Sequence, residues 1–131
     1  MSDELSRIKR RKLMELMRRA SIPRKIVHLD DSTFSSFVKR YPGIPIILDF
    51  WSAWCPPCQL MAPIFESIAE KYRGRAIFAK VDIAKAPMTA VRHKVYVVPT
   101  FIVLVDGVPK EVVVGAIGRR LEDYVRKYVG P

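Results

Sequence analysis

Cys55 and Cys58 are the only two cysteines in this 131-residue chain, and they stand in Trp54-Cys55-Pro56-Pro57-Cys58. A disulfide between them closes too short a loop to staple a fold, because disulfide stabilisation grows with loop length. The pair therefore reads as a dithiol that opens and closes. Such chemistry needs a thiolate, and a helix N-terminus stabilises one through its free N–H groups and the positive end of its dipole. The spacing puts Cys55 at the cap of a helix, Pro56 at its first position, where proline is tolerated best, and Cys58 one turn in. The expected roles follow: Cys55 is the exposed nucleophile, and the more sheltered Cys58 resolves the mixed disulfide.

Asp49 is the next residue that could do chemistry. It interrupts the apolar run Ile46-Ile47-Leu48-Asp49-Phe50-Trp51, which leads straight to the cysteines. Burial raises a carboxyl pKa, which suits a proton acceptor for a buried thiol. A strand-end carboxylate reaching solvent is the other reading of the same pattern. Lys80, in Phe78-Ala79-Lys80-Val81-Asp82, either pairs with Asp49 or is a surface lysine at a strand end. Zinc needs about four ligands. Only His28 and His93 could join the thiols, and neither is spaced as a local ligand pair, so no metal is expected.

The elements that must position these residues alternate. Residues 3–20 are good helix formers that stop before Pro23. A short strand is expected over 26–29, and a helix over about 32–40, capped by Asp31 or Ser32. Residues 44–50 read as a strand buried on both faces. A helix runs from the cysteines to about Tyr72, with Pro63 inside it. A strand over 76–81, a short helix over 87–93, and strands over 100–105 and 111–114 follow. Asp106-Gly107 is a strong hairpin signal between the last two. Gly118 leads into a final helix. This order predicts an α/β mixed sheet with helices on both faces.

Half of the residues are hydrophobic, enough for a continuous core without a structural disulfide. No run approaches the ~20 apolar residues of a membrane span, and the first 25 residues lack a signal-peptide stretch. The expectation is a cytoplasmic protein with no membrane partner. Asparagine is absent and Gln59 is the only glutamine, which fits a thermophile's protein. The net charge of +10 is unevenly placed. Residues 1–25 carry nine Lys/Arg against Asp3, Glu4 and Glu15, a net of +6. The chain thus divides into a basic, helical extension over 1–25 and a domain over 26–131. The extension is either a solvated tail or an arm for nucleic acid or an acidic partner.

Taken together, these motifs resemble the thioredoxin family. The resemblance is carried by Asp49-Phe50-Trp51-Ser52-Ala53-Trp54-Cys55-Pro56-Pro57-Cys58, Met61-Ala62-Pro63, Lys80 with Asp82, Val98-Pro99-Thr100, Asp106-Gly107 and Gly115-Ala116. It covers about residues 26–129. It implies the thioredoxin fold, a central mixed sheet of about five strands flanked by four helices, here with an added N-terminal helix. It also implies Asp49 as general base toward Cys58 with Lys80 beside it, and Pro99 in the cis form. Trp54, Pro56, Pro57, Val98, Pro99, Gly115 and Ala116 become the residues that hold a substrate chain.

The implied activity is disulfide reduction in client proteins, with electrons from a thioredoxin reductase, because the chain has no Gly-rich nucleotide motif. No organic cofactor or metal is implied beyond the Cys55–Cys58 disulfide, and a monomer is expected. Pro-Pro departs from the family's usual Gly-Pro between the cysteines. Pro56 removes an N–H near the Cys55 sulfur, so thiolate stabilisation leans on Cys58. With no histidine between the cysteines, a reductant is expected. A disulfide oxidase or isomerase, and a binding module recruited by the basic arm, are the alternatives.

Overall fold

The computed structural model describes residues 2–130. The element order is α1 (Ser2–Ala20), β1 (Val27–Leu29), α2 (Phe34–Arg40), β2 (Ile46–Trp51), α3 (Pro56–Lys71), β3 (Ile77–Asp82), α4 (Pro87–Arg92), β4 (Thr100–Val105), β5 (Val108–Val114) and α5 (Leu121–Arg126). The five strands form one sheet in the order β1-β3-β2-β4-β5. β1, β3 and β2 run parallel, while β4 and β5 pair antiparallel. The expected five-stranded mixed sheet with flanking helices is the fold observed, and the added N-terminal helix is present as α1.

The side-chain period of two in a strand sorts β2 between two cores. Ile46, Leu48 and Phe50 pack on the face covered by α2 and α4, with Phe37 and Ala90. Ile47 packs on the face covered by α3 and α5, with Met61, Phe65, Ile68 and Val125. β2 sits centrally, and all its residues but Trp51 are buried, which explains its unbroken apolar sequence. Asp49 has the parity of Ile47, and so belongs to the α3 face.

Three local details differ from the sequence expectation. Neither Asp31 nor Ser32 caps α2. Asp30 Oδ1 accepts from the backbone N–H groups of Ser32 (2.9 Å) and Thr33 (3.0 Å), an Asx turn leading into the helix. Asp31 instead caps α4 from across the chain, its carboxylate accepting from Met88 N (3.1 Å), Thr89 N (2.8 Å) and Thr89 Oγ1 (2.7 Å). That service is needed because Ala86, at the N-cap of α4, has no side-chain acceptor. The second difference is β5, which begins at Val108 rather than 111. The strand includes Pro109, whose missing N–H is tolerated because β5 is an edge strand with a register shift at Val103/Leu104. Third, the final helix is preceded by a 3-10 turn over Gly118–Arg120.

The hairpin follows its turn chemistry. Asp106 and Gly107 both have positive φ, 53° and 76°, as a type I′ turn requires. Asp106 Oδ1 also accepts from Gly43 N at 2.6 Å, tying the hairpin to the start of β2.

Candidate active site

The disulfide sits where β2 ends and α3 begins. Cys55 is the N-cap of α3 in extended conformation, Pro56 opens the helix, and the helix continues through Pro63. Cys55 and Cys58 are disulfide-bonded, with their Cα atoms 5.2 Å apart. Cys58 donates its backbone N–H to Cys55 Sγ at 3.2 Å, so the sulfur takes the place of a capping oxygen. When the disulfide opens, that N–H and the dipole of a 16-residue helix stabilise negative charge on Cys55. With Pro56 and Pro57 lacking N–H groups, Cys58 is the nearest backbone donor the loop can offer.

The exposure of the cysteines is more even than the sequence predicts. Cys55 is 7% exposed and Cys58 5%. The loop before β4 covers Cys55: its sulfur lies 3.7 Å from the Val98 carbonyl oxygen. What distinguishes the two residues is therefore position in the helix rather than exposure. Cys55 receives the N–H, whereas Cys58 belongs to the helical turn and is buried against it.

The Val98–Pro99 peptide bond is cis, as the resemblance implies. Thr100 Oγ1 donates to Val97 O at 2.5 Å, and Gly115 N donates to Pro99 O at 2.9 Å. Gly115 has φ of +100°, which an L side chain adopts only with strain. Gly118 N donates to Met61 Sδ at 3.3 Å, fastening the segment after β5 to α3. Val98, Pro99 and Gly115 are thereby brought to the disulfide. Trp54 is 92% exposed, and Pro56, Pro57 and Ala116 are exposed as well. Tyr96 (81% exposed) and Val97 (57%) extend this apolar rim. They escaped selection as site residues, although the apolar triplet before Pro99 was their signal.

Asp49 is 2% exposed, and its Oδ1 has no hydrogen-bond partner among the described residues. Burial pushes its carboxyl up to about 6, and the charge of Lys80 partly opposes that rise. Of the two readings of this residue, the solvent-reaching strand end does not hold. Lys80 is directly across from Asp49 in the β2–β3 register, on the same face. It is half-buried, with Nζ 5.1 Å from the centre of the Trp51 ring, and makes no ion pair with Asp49 among the described residues. It acts on Asp49 as a neighbouring charge. The histidines stand elsewhere. His28 is exposed on β1, and the His93 ring is engaged at Nδ1 by Thr89 O (2.8 Å) and packed edge-on against Phe34.

A second buried carboxylate had no sequence signal. Glu122 is 6% exposed and receives Lys71 Nζ (2.5 Å), Tyr72 Oη (2.9 Å) and Arg119 Nη2 (3.0 Å). The Lys71 hydrogen bond, with those of Tyr72 and Arg119, holds its carboxyl down to about 2. It clamps α5 to α3.

A disulfide at a helix start, a buried carboxylate on the face that this helix covers and an apolar rim are the parts of a thiol–disulfide exchange protein. Comparison with known proteins agrees. The family model for thioredoxin matches residues 25–127. The chain is 41% identical over 90 residues to thioredoxin of Staphylococcus aureus, covering 69% of this chain and 84% of that one. It is 31% identical over 109 residues to the chloroplastic M-type thioredoxin of Spinacia oleracea, covering 82% of this chain and 60% of that one. The reduced thioredoxin pre-protein of Schistosoma mansoni superposes with a TM-score of 0.75 at 34% identity, covering 80% of this chain and 99% of that one. Spinach chloroplast thioredoxin f gives 0.76 at 32% identity, covering 82% and 96%. The chain belongs to the thioredoxin family, whose members are protein-disulfide oxidoreductases. The matched region begins at residue 25, so α1 lies outside it.

Proposed function

We propose that this chain is a cytosolic protein-disulfide reductant. The observation that carries the reading is the Cys58 N–H directed at Cys55 Sγ, with the unpartnered Asp49 carboxylate on the α3 face behind it. In the dithiol state the Cys55 thiolate attacks one sulfur of a client disulfide. A mixed disulfide forms and the first client thiolate leaves. Asp49 then takes the proton of Cys58, and the Cys58 thiolate attacks Cys55 Sγ. The second client thiolate leaves, so the client gains two electrons and the Cys55–Cys58 disulfide forms. A thioredoxin reductase returns the two electrons.

Trp54, Pro56, Pro57, Val98, Pro99, Gly115 and Ala116 hold the extended client segment, and the protein works as a monomer. Residues 26–131 form the redox domain and 1–25 an accessory arm. The amide-poor composition belongs with a warm cellular setting.

Equilibration with glutathione tests the direction. A potential clearly more reducing than glutathione's is expected, and one as oxidising as glutathione's own would reassign the chain to disulfide formation. In a disulfide reduction assay with a protein substrate, Cys55→Ser abolishes reduction, whereas Cys58→Ser accumulates a client mixed disulfide at Cys55. A Cys55→Ser variant with normal turnover would refute the thiol mechanism.

A further inference from the structure

The helix α1 is the largest feature that disulfide exchange leaves unexplained. Of its residues 3–20 only Glu15 is half-buried, and all the others are exposed. Ile22, just beyond the helix, is 4% exposed, and Glu15 and Arg19 border a groove lined by Ile44, Pro45, Arg75 and Tyr128. The helix stands in solvent with its large apolar side chains uncovered: Leu5 is 53% exposed, Ile8 40%, Leu13 55%, Met14 60%, Leu16 63% and Met17 62%. At about 100° per residue Leu5, Leu13, Leu16 and Met17 fall within one arc of about 120°, while Ile8 and Met14 lie outside it, Met14 beside Arg7. Arg7, Arg11 and Arg18 occupy the opposite side, and Arg10, Lys12 and Arg19 flank the arc. Lys9 lies within it, on a stem long enough to lift its charge clear. Glu15 pairs with Arg18 and Arg19, but Arg7, Lys9, Arg10, Arg11 and Lys12 have no ion-pair partner among the described residues.

Charge and chemistry narrow the occupant. A second copy would set two strongly cationic helices side by side. Nucleic acid would satisfy the cations and leave Leu13, Leu16 and Met17 in water. A shaped protein pocket is usually gripped by aromatic anchors, and α1 has no aromatic residue. A fluid surface that is anionic outside and apolar beneath matches both halves of the helix. Low overall hydrophobicity, a cationic face and an apolar face are the marks of a helix that lies in the bilayer interface. We infer that α1 docks this protein onto an anionic lipid surface, lying in the interface without spanning it. The sequence expectation of no membrane partner, drawn from the lack of a spanning segment, is revised accordingly.

The position of α1 adds a consequence. It is rooted beside Ile44 and Pro45, ahead of the start of β2, whereas the disulfide follows the end of β2. The six residues of β2 separate these ends by about 20 Å. A docked molecule thus keeps its disulfide end open to clients.

Sedimentation of the full chain with vesicles tests the inference. The chain is expected to bind phosphatidylcholine vesicles containing about 30% phosphatidylglycerol and not pure phosphatidylcholine, and to release as salt is raised. Leu13→Gln/Leu16→Gln should weaken binding at least about tenfold, since two leucines no longer leave water. Leu13→Met/Leu16→Met should restore it. Circular dichroism confirms that the helix persists, and disulfide reduction, which these residues do not touch, stays unchanged. Absence of binding, equal binding to neutral vesicles, or an unaffected glutamine variant would each overturn the inference. Tight binding to duplex DNA without vesicle binding, equal in both variants, would overturn it in favour of a nucleic-acid arm. Failure in these assays leaves the redox reading intact, because its readout is the glutathione equilibrium.

Discussion

Replacing Asp49 with asparagine removes a charge from the interior with little change in shape. Its carboxyl titrates near 6 in the folded chain against an ordinary value of 3.8. A difference of about 2, at 1.36 kcal/mol per pKa unit, corresponds to about 3 kcal/mol. The folded state holds the proton more tightly than the unfolded chain, so wild-type stability falls as pH rises from about 4 to about 6 and then levels. Asp49→Asn does not titrate. It should gain on the wild type across that window, reaching about 3 kcal/mol at pH 8 relative to its difference below pH 4, where both side chains are neutral. Urea denaturation of the two oxidised proteins at about pH 3.5, 5, 6 and 8 measures this through the midpoint at constant slope. A difference that stays flat with pH, or shrinks toward pH 8, would refute a buried, unsatisfied carboxylate. The same substitution should slow release of the client from its mixed disulfide, because Cys58 loses its proton acceptor.

Glu122 has the opposite sign. Its folded carboxyl lies near 2 against an ordinary 4.5, so its contribution is fully present above about 4.5 and is lost as pH falls toward 2. Glu122→Gln should destabilise at pH 7, with the deficit narrowing in acid; denaturation midpoints at pH 7 and 3 check it. Asp31→Ala should remove the acceptor from the start of α4, lowering the thermal midpoint by a few degrees and speeding hydrogen exchange of the Met88 and Thr89 amides. Unchanged exchange at those two amides would show that the cap is dispensable.

The chemistry was legible in local sequence because it is built from local structure. A proline at the first helical position, a cysteine before it and another one turn later set the Cys58 N–H onto Cys55 within four residues. The unbroken apolar run of β2 marked a strand buried on both faces, and Asp106-Gly107 carried its own turn. Asp49 was ambiguous because solvent access at a strand position depends on what covers it. The packing of α3 over that face decided it, leaving the carboxylate 2% exposed. Cys55 looked open because the loop that shelters it, ending in Val98-Pro99, is more than forty residues away in the chain. Asp31 and Glu122 found their roles in partners fifty or more residues distant, which no local pattern encodes. Basic, helix-forming residues in α1 were evident from composition alone. That its leucines stay in water followed only from the body of the fold, which half-buries Glu15 and leaves the rest of residues 3–20 exposed.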